Sequence, residues 1–204
     1  MKLNKKCRLC RRERVKLFLK GARCFSPKCP LEKKGAIPPG IHGFKSGFRP
    51  SSYAGQLREK QKTKRMYALS EAGFKNYLEK AKEFKGDTGQ ILLQHLEMRL
   101  DNVVYRLGLV PSRVTARQLV SHGHVFVNGK RLTIPSYSVK VGDEISLSEK
   151  ARKMEKIQTW VARKEETPSF VKRTGFIGKM VAIPKREEIS SEIDESLIVE
   201  YYSK

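Results

Sequence analysis

The chain has 204 residues, and its 43 Lys and Arg residues against 21 Asp and Glu residues give a formal net charge of +22. Because a compact fold with this charge repels itself, the composition predicts a polyanionic partner, with nucleic acid first and an anionic membrane surface second. The longest apolar runs, residues 66–69 and 180–183, are far shorter than the roughly 18 residues of a membrane span. The basic start never develops the apolar stretch of a secretory signal, so we expect a cytoplasmic chain without disulfides.

The positive charge is concentrated near the start of the chain, where residues 1–50 hold 15 basic and 2 acidic residues. The four cysteines lie in the same quarter with the spacing C-x2-C-x13-C-x4-C: Cys7, Cys10, Cys24 and Cys29. Two close pairs can place four thiolates around a zinc ion, although an iron–sulfur cluster would use the same ligands. Flanking cations are expected to lower the thiol pKa values. A short helix over residues 11–20, ended by Gly21, is predicted between the pairs.

A Pro- and Gly-rich linker leads into a block of helical periodicity that ends near residue 97. Ser51 or Ser52 can begin its first helix, which carries the run YAGQLREKQKTKRMY. Glu59 is the only acid among the cations at positions 58–65, whereas a solvated helix face normally mixes both signs. The pattern therefore favours contact between this helix and phosphate groups.

The following segment has a different pattern, in which two helices precede a short sheet. An amphipathic helix begins near residue 98, Pro111 interrupts it, and Ser112 can cap a second helix that ends at Gly123. The apolar alternation around Asn128-Gly129 predicts a hairpin with a type I′ turn.

The run HLEMRLDNVVYRLGLVPSRVTARQLVSHGHVFVNGKRLTIPSYSVKVGDEI closely resembles the small RNA-binding domain named after ribosomal protein S-four. That domain also occurs in some tyrosyl-tRNA synthetases and pseudouridine synthases. The cysteine segment, the LREKQKTKR helix and the ending LIVEYYSK are similar to the small-subunit ribosomal protein four family of bacterial type, over essentially the whole chain.

The resemblance implies an α+β fold with four parts. These are a metal-stapled basic N-terminal segment (1–45), the first part of a helical RNA-binding domain (46–97), a small helix-helix-sheet RNA-binding domain (98–160), and a C-terminal return segment that packs on the helical domain (161–204).

The implied function is that of a structural ribosomal protein with no catalytic residues. It would be a primary binder of a helix junction in the five-prime domain of small-subunit ribosomal RNA, nucleate subunit assembly and contribute to translational accuracy. Its partners would be that RNA and neighbouring ribosomal proteins, with messenger RNA as a further candidate and no membrane. The alternative is an RNA-modifying enzyme that carries the same small domain, but residues 151–204 are too short for a catalytic domain.

The residues expected to contact RNA are cations and hydrogen-bonding side chains, so binding should weaken steeply with salt. In the N-terminal segment and linker they are Lys5, Arg8, Arg11, Arg12 and Arg49. In the first helix of the helical block they are Tyr53, Gln56, Arg58, Lys60, Lys62, Lys64 and Arg65. In the small domain they are Arg113, Arg117, Gln118, His122, His124, Lys130 and Arg131.

Overall fold

A computed structural model of the chain describes residues 5–45, 51–163, 167–189 and 192–203. The chain divides into two compact units, residues 1–92 with 191–204, and residues 93–190. Within the described ranges, none of the helices combines the length and the apolarity needed to cross a bilayer.

The described elements are helices and short strands, so the α+β prediction is confirmed. The helices are α1 (Lys6–Glu13), α2 (Pro30–Lys34), α3 (Ser52–Met66), α4 (Glu71–Lys82), α5 (Thr88–Glu97), α6 (Leu100–Arg106), α7 (Arg113–Ser121), α8 (Glu149–Arg152), α9 (Glu155–Val161) and α10 (Glu195–Tyr202). The strands are β1 (Val125–Val127), β2 (Lys130–Leu132), β3 (Glu144–Leu147), β4 (Val171–Thr174) and β5 (Ile177–Met180).

The first unit is helical, and serine caps define where its main helices begin. The Ser51 hydroxyl accepts a hydrogen bond from the Ala54 N–H at 3.3 Å, which confirms the predicted start of α3. The Ser70 hydroxyl does the same for the Gly73 N–H at 3.2 Å and begins α4. The inner face of α4 is fully buried through Phe74. Since α10 packs against α3, the end of the chain belongs to this unit.

The helix predicted over residues 11–20 is wrong, because α1 lies earlier and contains the first cysteine pair. Arg14 adopts a left-handed conformation (φ 60°), and the Val15 N–H bonds to the Cys10 carbonyl at 3.2 Å, a closure typical of helix ends. Leu17 and Leu19 are both buried to 1% exposure. Both leucines lie beyond the C-cap of α1 at Arg14, so they pack into the core from a non-helical segment.

The second unit is built on a five-stranded antiparallel sheet with the strand order β2-β1-β3-β5-β4. The β1–β2 hairpin has positive φ at Asn128 (49°) and Gly129 (76°), as the predicted type I′ turn requires. Helices α6 and α7 cover one face of the core, where Leu100, Val120 and Ile145 are fully buried.

The last 44 residues divide between the two units and do not form one return segment as expected. Strands β4 and β5 extend the sheet, because β3 would otherwise present an unpaired edge next to the core. A Cβ at Gly178 would collide with the Leu107 side chain, so β5 lies directly against the end of α6 at this glycine. Residues 192–203 belong to the unit of the helical block, where α10 packs against α3.

A buried polar cluster joins the ends of α5, α6 and α7 in the second unit. The Glu97 carboxylate is fully buried and accepts two hydrogen bonds from Arg106, at 2.8 and 2.7 Å, and one from Asn102 at 2.6 Å. Arg113 donates to the Asn102 side-chain oxygen at 2.6 Å and lies 4.6 Å from the Tyr105 ring centroid. A paired carboxylate therefore fixes the geometry of this helix junction.

Replacing this carboxylate should be strongly destabilising. Glu97→Ala would leave Arg106, Arg113 and Asn102 without their shared acceptor, and removing one side of a buried ion pair costs about 3–5 kcal/mol. Urea unfolding of the full chain would measure the loss in the free energy of unfolding. Glu187→Ala, at an exposed position of the same unit, should change it by no more than about 0.5 kcal/mol. A loss below about 1 kcal/mol for Glu97→Ala would contradict the structural role.

Candidate nucleic-acid interface

The predicted cations of the N-terminal segment fall into two groups. Lys5, Arg8 and Arg12 are exposed; Arg8 and Arg12, four residues apart, lie along one side of α1, and Lys5 directly precedes the helix. Arg11 is half-buried and donates to the carbonyls of Ile37 (2.9 Å) and Pro38 (3.2 Å), so it fastens α1 to a loop of its own unit. Arg49 lies outside the described residues.

Two arginines of α3 share a carboxylate that comes from α1. Arg58 contacts Glu13 at 3.2 Å, and Arg65 contacts the same oxygen. The Glu13 side chain is only 1% exposed. Burial raises the pKa of Glu13, and the neighbouring Arg58 and Arg65 guanidinium groups oppose that rise. These arginines therefore connect α3 to α1, in addition to any external contact.

Two lysines of α3 share a second carboxylate, at the start of α4. Lys60 and Lys64 donate to Glu71 at 2.7 and 2.6 Å, and the Tyr202 hydroxyl of α10 donates to it at 2.7 Å. Burial alone would raise the pKa of Glu71, but these three hydrogen bonds outweigh it and lower the pKa to about 2. This carboxylate thus joins α3, α4 and α10.

The remaining α3 cation, Lys62, lies 2.7 Å from the Glu59 carboxylate and also donates to the Glu192 carbonyl. All the predicted α3 cations thus have acceptors within the first unit. The sequence predicted that these cations contact phosphate groups. It did not reveal their partners within the protein, because Glu13, Glu71 and Glu192 lie outside the sequence of α3.

The two uncharged candidates on α3 are placed very differently. Gln56 is fully buried, and its amide nitrogen lies 3.4 Å from the Ser52 hydroxyl. Its position does not support the predicted contact with a base, since the side chain packs inside the unit. Tyr53 is 54% exposed, and its ring centroid lies 5.7 Å from that of Tyr201 in α10. One face of the unit thus carries an aromatic pair that RNA could reach.

In the small domain, α7 carries two arginines, of which one is buried in the structure and one is partly exposed. Arg113 is 7% exposed and belongs to the Glu97 cluster, so its predicted RNA contact is not supported by its position. Arg117 keeps 31% side-chain exposure, with its guanidinium 3.7 Å from Asp101. Asp101 is itself held by Arg99 through two hydrogen bonds of 3.0 and 2.7 Å. Asp101 therefore orients Arg117 at the surface.

The remaining candidates of this domain lie at the end of α7 and on the β1–β2 hairpin, where Gln118, His122, Lys130 and Arg131 are exposed. The His122 and His124 rings are 6.5 Å apart, and the His124 Nδ1 lies 3.2 Å from the Ser148 hydroxyl. Gly123 between them has φ 72°, and a Cβ there would collide with the Arg131 guanidinium. The sequence brings these side chains together through one helix end and one hairpin.

The cysteines converge on one small cavity, which has room for little more than one water-sized body. It is lined by all four: Cys7, Cys10, Cys24 and Cys29. The Lys20 N–H donates to the Cys24 sulfur at 3.4 Å. Among the described residues, however, no three His, Cys, Asp or Glu side chains stand in a metal-binding arrangement.

The expected electrostatics of these thiols are wrong for two of them. Burial raises the pKa of Cys10 to about 11 and also raises the pKa of Cys24. Backbone hydrogen bonds from Leu17 to Cys10 and from Lys20 to Cys24 lower these pKa values, as does the Lys16 charge near Cys24, but they do not outweigh the desolvation.

The Glu71 cluster predicts a pH-dependent contribution to stability. Its folded pKa of about 2 lies below the ordinary value of 4.5, so the contribution is complete above pH 4.5 and is lost as the pH falls toward 2. Glu71→Gln should lower the free energy of unfolding at pH 7 by about 1 kcal/mol, since the group is partly exposed. The difference from the unchanged chain should shrink between pH 4.5 and 2.5.

Urea titrations at several pH values would measure this difference. Glu79→Gln is the matched control, because Glu79 is exposed and lies 3.7 Å from Lys75. A difference for Glu71→Gln that stays constant with pH would contradict the proposed sharing of this carboxylate.

Comparison with known proteins matches two family models and several relatives over nearly the whole chain. The model of the "Ribosomal protein S4/S9 N-terminal domain" matches residues 2–97, and that of the "S4 domain" matches residues 98–145. "Small ribosomal subunit protein uS4" of Thermus thermophilus is 50% identical over 202 residues, which cover 97% of this chain and 96% of the relative. The proteins of Clostridium beijerinckii (uS4, 51%) and Clostridium acetobutylicum (uS4A, 50%) match over 200 residues with the same coverage.

Proposed function

The chain belongs to the family of small ribosomal subunit protein uS4, and on this premise we propose that it is a structural protein of the small ribosomal subunit that binds ribosomal RNA. It works as a binding protein in the cytoplasmic ribosome and not as an enzyme. The alternative of an RNA-modifying enzyme is not favoured, because the relatives that cover 97% of the chain carry the names of ribosomal proteins.

One observation carries the RNA-binding role. After the internal ion pairs are assigned, exposed cations still lie along α1 and on the α7–hairpin surface, in the segments that the two family models match. Lysine and arginine at such positions displace counterions from phosphates. The contacts we assign to RNA are Lys5, Arg8, Arg12, Arg117, Gln118, His122, Lys130 and Arg131.

The finer role rests on the family resemblance. We propose that the protein is a primary binder of a helix junction in the five-prime domain of the RNA and nucleates assembly of the subunit. Neighbouring ribosomal proteins would be its other partners, messenger RNA would be a transient one, and translational accuracy would depend on it.

Paired and exposed cations should behave differently in an RNA-binding experiment. Arg8→Ala/Arg12→Ala should weaken binding to small-subunit ribosomal RNA and reduce the slope of log affinity against log salt by about 2, with stability unchanged. Arg58→Ala/Arg65→Ala should instead lower the free energy of unfolding, because it leaves the buried Glu13 unpaired.

Filter binding from about 50 to 200 mM salt, together with urea unfolding, measures both effects. Binding of the unchanged chain that barely depends on salt would contradict the electrostatic mechanism. Failure of the chain to sediment with small subunits would contradict the ribosomal role.

We also propose that Cys7, Cys10, Cys24 and Cys29 hold a structural metal ion, with zinc favoured and an iron–sulfur cluster as the alternative. The donor set fits chemically, since four cysteines line one cavity and tetrahedral four-thiolate sites are typical of structural zinc. Such an ion supplies free energy that holds a small segment folded.

Cys24→Ser/Cys29→Ser should therefore release about one metal equivalent and make the first 45 or so residues sensitive to protease. Elemental analysis of the purified protein measures the ion, and visible absorption distinguishes an iron–sulfur cluster. Ser26→Ala, between the two cysteines, is the matched control. Unchanged metal content in the double variant would exclude the site.

A further inference from the structure

A groove of about 410 Å³ lies between α7 and the start of α9, within the second unit. Its floor is apolar, because Leu119 and Ile157 are 7% and 3% exposed. Met154, which precedes α9, also lines the groove and keeps 37% exposure. An exposed thioether beside a buried aliphatic floor gives a surface that an aromatic ring could cover.

The rim of the groove carries hydrogen-bonding side chains. Gln118 and His122 come from α7, and His124 comes from the chain just before β1. The contact between His124 Nδ1 and the Ser148 hydroxyl holds one of the two imidazoles in place. An apolar floor with a few convergent polar groups is typical of a site for a small, flat ligand, and the volume lies in the usual range for such sites.

The charge around the groove favours an anionic ligand. Lys156 lines it, and Arg131 contacts the His122 carbonyl at 3.4 Å beside it. The hairpin tip adds Lys130, which is exposed. Glu155 is the acid that lines the groove, and it lies next to Lys156 on α9. A nucleotide presents a flat apolar base together with a phosphate, so it matches both the floor and the rim.

We propose that this groove receives one unstacked base of ribosomal RNA, with Met154 and His122 against its face and Gln118 at its hydrogen-bonding edge. The inference rests on the proposed RNA binding and adds α9 to the RNA surface. Sequence-specific RNA recognition usually targets such splayed bases, which stack on side chains and are read at their edges. The groove would thus make the domain selective, beyond the sequence-independent attraction of its cations.

The test compares Gln118→Ala/Met154→Ala with the unchanged full chain on small-subunit ribosomal RNA. The affinity should fall by about 5- to 100-fold, the range that stacking of one base supplies. Chemical probing of base edges in the two complexes should show one nucleotide that the unchanged chain protects and the variant leaves reactive. Gln158→Ala, an exposed glutamine of α9 that does not line the groove, should match the unchanged chain in both measurements.

An affinity and a reactivity pattern equal to those of the unchanged chain would overturn the groove assignment while RNA binding itself stands. A weaker affinity without any nucleotide-specific change would also overturn it, since the side chains would then act on the backbone only. If the unchanged chain does not bind the RNA, the proposed function fails first. Should the double variant unfold, His122→Ala at an exposed position provides the same comparison.

Discussion

Repulsion among the cations is the constraint on which this structure depends. The formal net charge is +22, yet α3 and α7 pack their arginines and lysines close to other cations. Carboxylates that each contact two cations relieve this repulsion. In the first unit they are Glu13 and Glu71, and in the second they are Glu97 and Asp101. Each carboxylate joins residues that are distant in sequence or lie on different helices. The ion pairs that neutralise the charge therefore also fix the positions of the helices. The buried carboxylates among them, Glu13, Glu97 and Asp101, would be costly alone, and their cationic partners offset the loss of solvation.

This sharing divides the cations into those that maintain the fold and those that face outward. Arg11 and Arg113 are of a residue type that often contacts RNA, but their side chains donate hydrogen bonds to groups of their own unit. Arg8 and Arg12, on the same helix as Arg11, are exposed. The number of basic residues in a segment therefore overstates its RNA surface. The cations that maintain the fold differ from the outward-facing cations in the direction of their side chains relative to the core. Along a helix this direction turns by about 100° from one residue to the next.

Sequence reasoning succeeded where the determining contact is local. The cap at Ser51 and the turn at Asn128 each depend on a few neighbouring residues, and both form as predicted. It failed where the determining contact is distant: Glu13 lies 45 positions from Arg58, so nothing in the sequence of α3 reveals its partner. All four cysteines line one cavity, whereas the metal that their spacing predicts stays a prediction, and the burial that raises the pKa of Cys10 depends on the surrounding packing. The strands β4 and β5 were likewise missed, because their place in the sheet is set by the free edge of β3.

The two kinds of cation also respond differently to salt, and this has a consequence for assembly. Exposed charges are screened over about 8–10 Å at physiological ionic strength, whereas buried pairs are screened much less. The proposed contacts from Arg12 or Lys130 to phosphate should therefore weaken as salt rises, while the Glu97 cluster keeps its geometry. The protein can then release RNA without losing the helix junction that positions Arg117 through Asp101. Because the Glu97 and Asp101 contacts already hold α7 in the free chain, RNA binding at Arg117 would not have to order this helix, and less of the binding free energy would be lost to ordering.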